Sequence, residues 1–193
     1  MFRRGFKTWC ERTAESLREK RGLIPSAPLP ARILGEELSV EVVTPLELHE
    51  LRPQDLPLDS AQRLLTVHSE CWSAITIPNN QEPLIVYNPG HSPARQNSDL
   101  MHELSHLLLG HEPGMTFIDP HSELALRTHD KVQEEEASWL SGCLLLPREA
   151  LLRIKRIGWT EEHACNEYLV SGQMLRYRLN TSGVNIQHRR SRG

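Results

Sequence analysis

The apolar positions of this chain follow a helical period at its beginning, short strand-like runs through the first half, and a helical period again from the middle onward. Phe6, Trp9, Cys10, Ala14 and Leu17 recur three or four apart among charged residues, which predicts an amphipathic helix over about 5–21. Pro25, Pro28 and Pro30 then break the chain, and residues 30–37 have the pattern of a short second helix. Residues 39–43 are strand-like, whereas 44–60, with Pro45, Pro53, Pro57 and several acids, predict an irregular connection. Two β-rich runs at 71–77 and 84–87 flank turn chemistry at 78–82, the pattern of a hairpin.

The second half reads as helix. A run from Pro93 to Leu109 meets a stop signal at Gly110, residues 112–131 read as loop, and a strong helix over about 133–146 ends at Pro147. One or two further helices are expected around 160–170 and 171–180. Strands early and helices late indicate an α+β domain rather than a doubly wound parallel sheet.

Composition narrows the function classes. A net charge of −3 gives no global attraction to nucleic acid or to a membrane surface. The basic stretch at 187–193 reads as a frayed, solvated tail. Arg3, Arg4 and Lys7 have the charge of an export signal, but the residues after them are polar, and no run approaches the ~18 apolar residues of a membrane span. Cys10, Cys71, Cys143 and Cys165 are far apart with no CxxC pair, so they read as reduced thiols in a cytoplasmic protein.

The informative stretch runs from Leu100 to His111. His102 and His106 stand four apart, one turn of a helix, so both imidazoles share a face and can hold one metal ion. Glu103 adjoins that face and can serve as base toward an attacking water. Leu100, Leu104, Leu107 and Leu108 form a stripe that sends the rest of the helix into a core. Catalytic zinc takes three protein ligands and keeps one position open. The extended metzincin pattern would need Gly at 109 and His at 112, and the chain has Leu109 and Glu112 there. An acid from a second helix is the alternative, and Glu134, Glu135 and Glu136 head the next one. Acids there also suit the helix macrodipole, so only one of the three need turn inward.

These two segments resemble the ImmA/IrrE metallopeptidase family. Its pattern is HExxH with leucines and a further histidine downstream, then ExxAN and LLMP on the next helix. The matching residues are His102-Glu103-Leu104-Ser105-His106 with Leu109-Gly110-His111, and Glu134-Glu135-Glu136-Ala137-Ser138-Trp139 with Leu144-Leu145-Leu146-Pro147. Ile85-Val86-Tyr87-Asn88 and residues 171–179 also resemble family positions, so the likeness spans about 30–185. Ser105 replaces the usual Gly, Trp139 stands for Phe, and Ser138 stands for the Asn expected to orient a ligand. By register the resemblance places the family's glutamate ligand at Glu134, four before Ser138, with Glu135 and Glu136 pointing elsewhere.

The resemblance implies a small zincin-like domain with a short antiparallel or mixed sheet, the HExxH helix and further C-terminal helices. On that basis 1–37 is a helical extension, about 38–185 the catalytic core and 186–193 the basic tail of a single metallopeptidase domain. It implies a zinc-dependent endopeptidase with His102, His106 and Glu134 as ligands and Glu103 as base, manganese or iron being able to load the same donors. Tyr177 and His163 are candidates for stabilising the oxyanion, and His111 reads as a helix-end residue rather than a support for a ligand. The strand at 84–87 is expected to offer its edge to an extended peptide. The implied role is regulatory, cleaving or inactivating a helix-turn-helix repressor carried on a separate protein, since no such DNA-binding motif is evident here. The rivals are a non-catalytic metal-binding regulator and a structural zinc; intact Glu103 argues against the first, and the distance of every cysteine from His102 against the second.

Overall fold

Helix α1 (Phe6–Lys20) buries Phe6, Cys10, Ala14 and Leu17, the stripe its spacing predicts, while Trp9 stays part-exposed and stacks on Phe6. In this computed structural model the described residues are 2–77, 83–111, 116–118, 125–127 and 130–190. Arg18 lies on the inner side of α1 and is fully buried, its guanidinium donating to the carbonyls of Ala14, Ala27 and Leu144 at 2.7–2.9 Å. Burial lowers its pKa to about 10, and the three acceptors repay much of the lost hydration.

After the short helix α2 (Ala31–Glu37), three strands form the main sheet: β1 (Glu41–Val43), β2 (Ala74–Ile77) and β3 (Leu84–Tyr87). The order is β1-β3-β2, with β1 parallel and β2 antiparallel to the central β3. All four residues of β3 are buried, as expected of a strand covered on both faces. The two-residue period divides them: Leu84 and Val86 join Val43 and Leu48 in a small cluster, and Ile85 and Tyr87 face the main core. Across that second face runs α5 (Pro93–Leu109), contributing Leu100, Met101 and Leu104. Helix α6 (Lys131–Leu145) packs along both α5 and α1 and adds Leu140, Cys143 and Leu144. The fold is α+β, as the order of strands and helices predicts, with the small mixed sheet that the resemblance implies. Among the described residues no helix is long and apolar enough to cross a membrane.

Four expectations need correction. Residues 44–60 are not irregular: they hold α3 (Pro45–Leu51) and the start of α4 (Leu58–Leu65). Thr44 caps α3, its hydroxyl accepting from Glu47 N while Glu47 accepts from Thr44 N, and Pro45 occupies the first turn. The prolines that looked like breakers begin helices here. The loop expected over 112–131 contains an antiparallel pair, β4 (Thr116–Ile118) with β5 (Ala125–Arg127), while the turn expected at 78–82 lies outside the described residues.

Toward the C-terminus the expected α8 (Glu161–Tyr168) and α9 (Gly172–Thr181) are joined by two unanticipated helices, α7 (Arg148–Ile157) and α10 (Val184–Arg190). Helix α7 buries Ala150, Leu151 and Ile154, and Gly158 ends it in the left-handed region at φ 77°. Helix α10 carries the tail expected to fray from 186 as far as Arg190, and 191–193 lie outside the described residues.

The fourth correction concerns the sheet edge. Strand 84–87 is central, flanked by β1 and β2, so it has no edge to offer. The strands with no neighbour beyond them, among the described residues, are β1 and β2.

Candidate metal centre

Helix α5 begins where Ser92, in extended conformation, precedes Pro93, and it ends where Gly110 turns left-handed at φ 65°. Between these signals Leu100, Met101 and Leu104 anchor one face in the core, which leaves His102 and His106 together at its margin. Their rings lie 4.8 Å apart at 73°, with the two Nε2 atoms 3.1 Å from one another.

Helix α6 supplies the acid. Asp130 caps it, its carboxylate accepting from Val132 N at 2.7 Å, and this fixes the first turn that carries Glu134. Glu134 Oε2 lies 3.1 Å from His102 Nε2, and Oε1 lies 3.5 Å from His106 Nε2. The three side chains each offer a ligand atom within 4.8 Å of the others, the one such grouping of histidine, cysteine, aspartate or glutamate among the described residues. All three are partly exposed, between 19% and 35%. Two imidazole nitrogens and a carboxylate oxygen converging from two helices fit a divalent ion of zinc type held by three ligands with an open side. All four cysteines are free thiols and none belongs to the group, which removes the sulfur-rich closed site.

Glu103 is placed differently. It is 7% exposed and stands outside the three-residue group. Its Oε2 accepts a hydrogen bond of 2.5 Å from Thr76 Oγ1 on β2. With His102 and Glu134 it lines a cleft of about 710 Å³ whose other walls include Trp72, Ile75, Ile77, Leu84 and Val86. A largely apolar cleft therefore opens on two of the three candidate donors, His102 and Glu134.

A family model for peptidases, described as the IrrE N-terminal-like domain, matches residues 60–180, more than half of the chain. The chain belongs to this family. No curated protein matches it. The matched span of the IrrE N-terminal-like domain runs from within α4 to α9 and contains α5 and α6 with the whole donor group. A metallopeptidase type of function follows from the family.

His111 ends the helix, as expected, but it also supports a candidate ligand: its Nδ1 is 3.0 Å from His106 Nδ1, and its Nε2 is 3.4 Å from Glu136 Oε2. Glu136 thus points away from the donors, yet it reaches the group behind them. Glu135 is exposed. Ser138 is exposed too and shares a shallow depression with Glu134, Glu135 and Tyr177. Tyr177 stands 42% exposed with its ring edge-on to Trp139, and partial burial raises its phenol pKa. His163 packs on Trp159 at 4.4 Å and is not among the residues that line the cleft. Thr76 carried no signal beyond membership of a β-rich run, because its role depends on the sheet register that brings it to Glu103.

Proposed function

We propose that this chain is a zinc-dependent endopeptidase with a regulatory substrate, with His102, His106 and Glu134 holding the metal and Glu103 acting as base. The observation that carries the reading is the separation of roles in one cleft. Three donors converge, and a second carboxylate, that of Glu103, buried and held by Thr76, lines the same cleft as His102 and Glu134 without joining the group. A regulator that only binds metal has no use for that fourth group.

When bound, zinc would supply Lewis acidity, polarising a peptide carbonyl and making water acidic near neutral pH. The Glu103 carboxylate takes a proton from water as its oxygen attacks the carbonyl carbon. The same carboxyl then gives that proton to the departing amine as the C–N bond breaks. Thr76 orients Glu103 by holding one of its oxygens. The apolar walls at Ile75, Ile77 and Trp72 exclude water and receive side chains of the substrate. Of the two edge strands β2 is the one that lines the cleft, through Ala74, Ile75 and Ile77, so it is the edge on which an extended segment can lie by adding a strand.

The substrate proposed is a helix-turn-helix repressor on a separate protein, on the strength of the family resemblance of the two motifs. The whole chain, including α1 packed along α6, acts as one catalytic domain. We place its work in the cytoplasm, in keeping with four unpaired cysteines. The test is metal analysis of the purified protein together with its incubation with repressors encoded by neighbouring genes. One divalent ion per chain and discrete repressor fragments are expected. A metal-free protein, or repressors left whole in the presence of bound metal, would refute the peptidase reading.

A further inference from the structure

Behind the donor group lies a second line of polar side chains. Helix α5 closes with Gly110 N bonded to Leu107 O at 3.1 Å and His111 N bonded to His106 O at 3.0 Å. This pairing, with Gly110 left-handed, is a Schellman motif, and it brings the residue after the glycine back against the residue four before it. That contact is commonly apolar. Here it joins two imidazoles, with ring centroids 5.0 Å apart at 68° and Nδ1 facing Nδ1 at 3.0 Å. The His111 side chain is only 8% exposed, and its other nitrogen faces the carboxylate of Glu136, itself 17% exposed.

The proton order along these contacts follows from the chemistry of imidazole. His106 directs Nε2 toward His102 and Glu134, so a lone pair is needed there for a metal. A neutral ring with a free Nε2 carries its proton on Nδ1 and donates it. The acceptor at 3.0 Å is His111 Nδ1, which must then be unprotonated and hold its proton on Nε2. That second N–H points at Glu136, an acceptor in its ionised form. With a lone pair kept at the Nε2 of His106 for a metal, this one arrangement satisfies both contacts.

We propose that His111, backed by Glu136, is a positioning residue that fixes the tautomer and ring orientation of His106 for metal binding. This rests on the reading of His102, His106 and Glu134 as the metal site. His111 is not a ligand, standing outside the donor group. Supporting hydrogen bonds of this kind change metal affinity by about 10- to 100-fold when lost.

The test uses two substitutions that separate hydrogen bonding from packing, with zinc affinity of the full chain read by competition against a chelator of known affinity. His111→Phe keeps an aromatic ring in this largely buried place but removes the acceptor. His111→Asn loses the ring but sets a carbonyl oxygen close to the place of Nδ1. A positioning role predicts zinc binding about 10- to 100-fold weaker in His111→Phe and within a few-fold of wild type in His111→Asn. A packing role predicts the reverse order. Glu136→Leu should weaken zinc in the same direction as His111→Phe and add little to it in the double variant, because Glu136 acts through His111. The melting temperature of each metal-free variant serves as the folding control. Wild-type affinity in His111→Phe, or equal losses in His111→Phe and His111→Asn, would overturn the proposal while leaving the metal site standing. A wild-type chain that binds no zinc would overturn both.

Discussion

Thr76 and Glu103 are joined by a hydrogen bond of 2.5 Å that ties the edge strand β2 to α5, the helix bearing His102 and His106. The bond explains how a carboxylate only 7% exposed keeps a fixed direction beside the cleft. On the proposed reading it makes Thr76 a positioning residue, since the hydroxyl touches the proposed base, Glu103, and not the candidate donors. A hydrogen bond to a charged group contributes about 1.5–3 kcal/mol. Thr76→Val, close in shape but without the donor, should lower kcat about ten-fold or more while zinc content stays that of the wild type. Thr76→Ser should restore most of the rate. Equal rates in Thr76→Val and wild type would remove Thr76 from the machinery.

The three successive acids at the head of α6 give a second prediction. Glu134 alone places its oxygens 3.1–3.5 Å from both histidine Nε2 atoms. Glu134→Gln should therefore reduce zinc binding far more than Glu135→Gln, whose site is exposed, or Glu136→Gln, whose amide oxygen can still accept from His111. Measured stoichiometry after dialysis checks the order. If Glu135→Gln or Glu136→Gln proved the more damaging, the assignment of Glu134 would be wrong.

Much of this site was legible in the sequence because it is local. The HExxH spacing depends only on one helical turn, and Leu100, Leu104, Pro93 and Gly110 announce that helix and its ends. Glu134 was reached by resemblance rather than by spacing, since three adjacent acids look alike until the register of α6 against α5 is known. Thr76, His111 and Glu136 were missed as partners because each acts across elements or around a helix terminus, where the pattern of apolar residues is silent. The helices α3 and α7 escape the apolar pattern for one reason, that a proline can open a helix as readily as interrupt one: Pro45 opens α3 and Pro147 directly precedes α7. The central position of Leu84–Tyr87 was legible in its uninterrupted apolar character, which is that of a strand covered on both faces.

Away from the site, the packing of α1 on the rest of the chain depends on a charged pair. Arg178, 1% exposed, donates to Glu11 Oε1 at 2.6 Å and also to Leu146 O, while Glu11 accepts from Arg148 N at 2.9 Å. Removing Glu11 strands a buried guanidinium and an amide at the start of α7. Glu11→Ala should cost about 2–4 kcal/mol of stability, read by chemical denaturation of the metal-free protein. A loss below ~0.5 kcal/mol would show that solvent replaces the carboxylate and that the pair is not structural.

The decisive variant for function is Glu103→Gln. The amide keeps the size of the carboxylate and can still accept from Thr76 through its oxygen, so the local structure should hold. It cannot take a proton from water. Glu103 lies outside the group of three donors, so zinc content should remain near one per chain. Cleavage of the repressor should fall by about 10²–10⁴, the usual contribution of a positioned acid–base group. A chain that inactivates its partner by binding alone would behave otherwise, since no bond is broken and no proton moves. In that case Glu103→Gln would regulate as well as the wild type. The measurement pairs metal stoichiometry with gel analysis of the partner protein and an assay of its DNA binding, for wild type and variant. Fragments from the wild type and none from the variant, at equal zinc, would establish hydrolysis. Loss of DNA binding without fragments, equal in both proteins, would sink the enzyme and leave the metal as a scaffold for recognition.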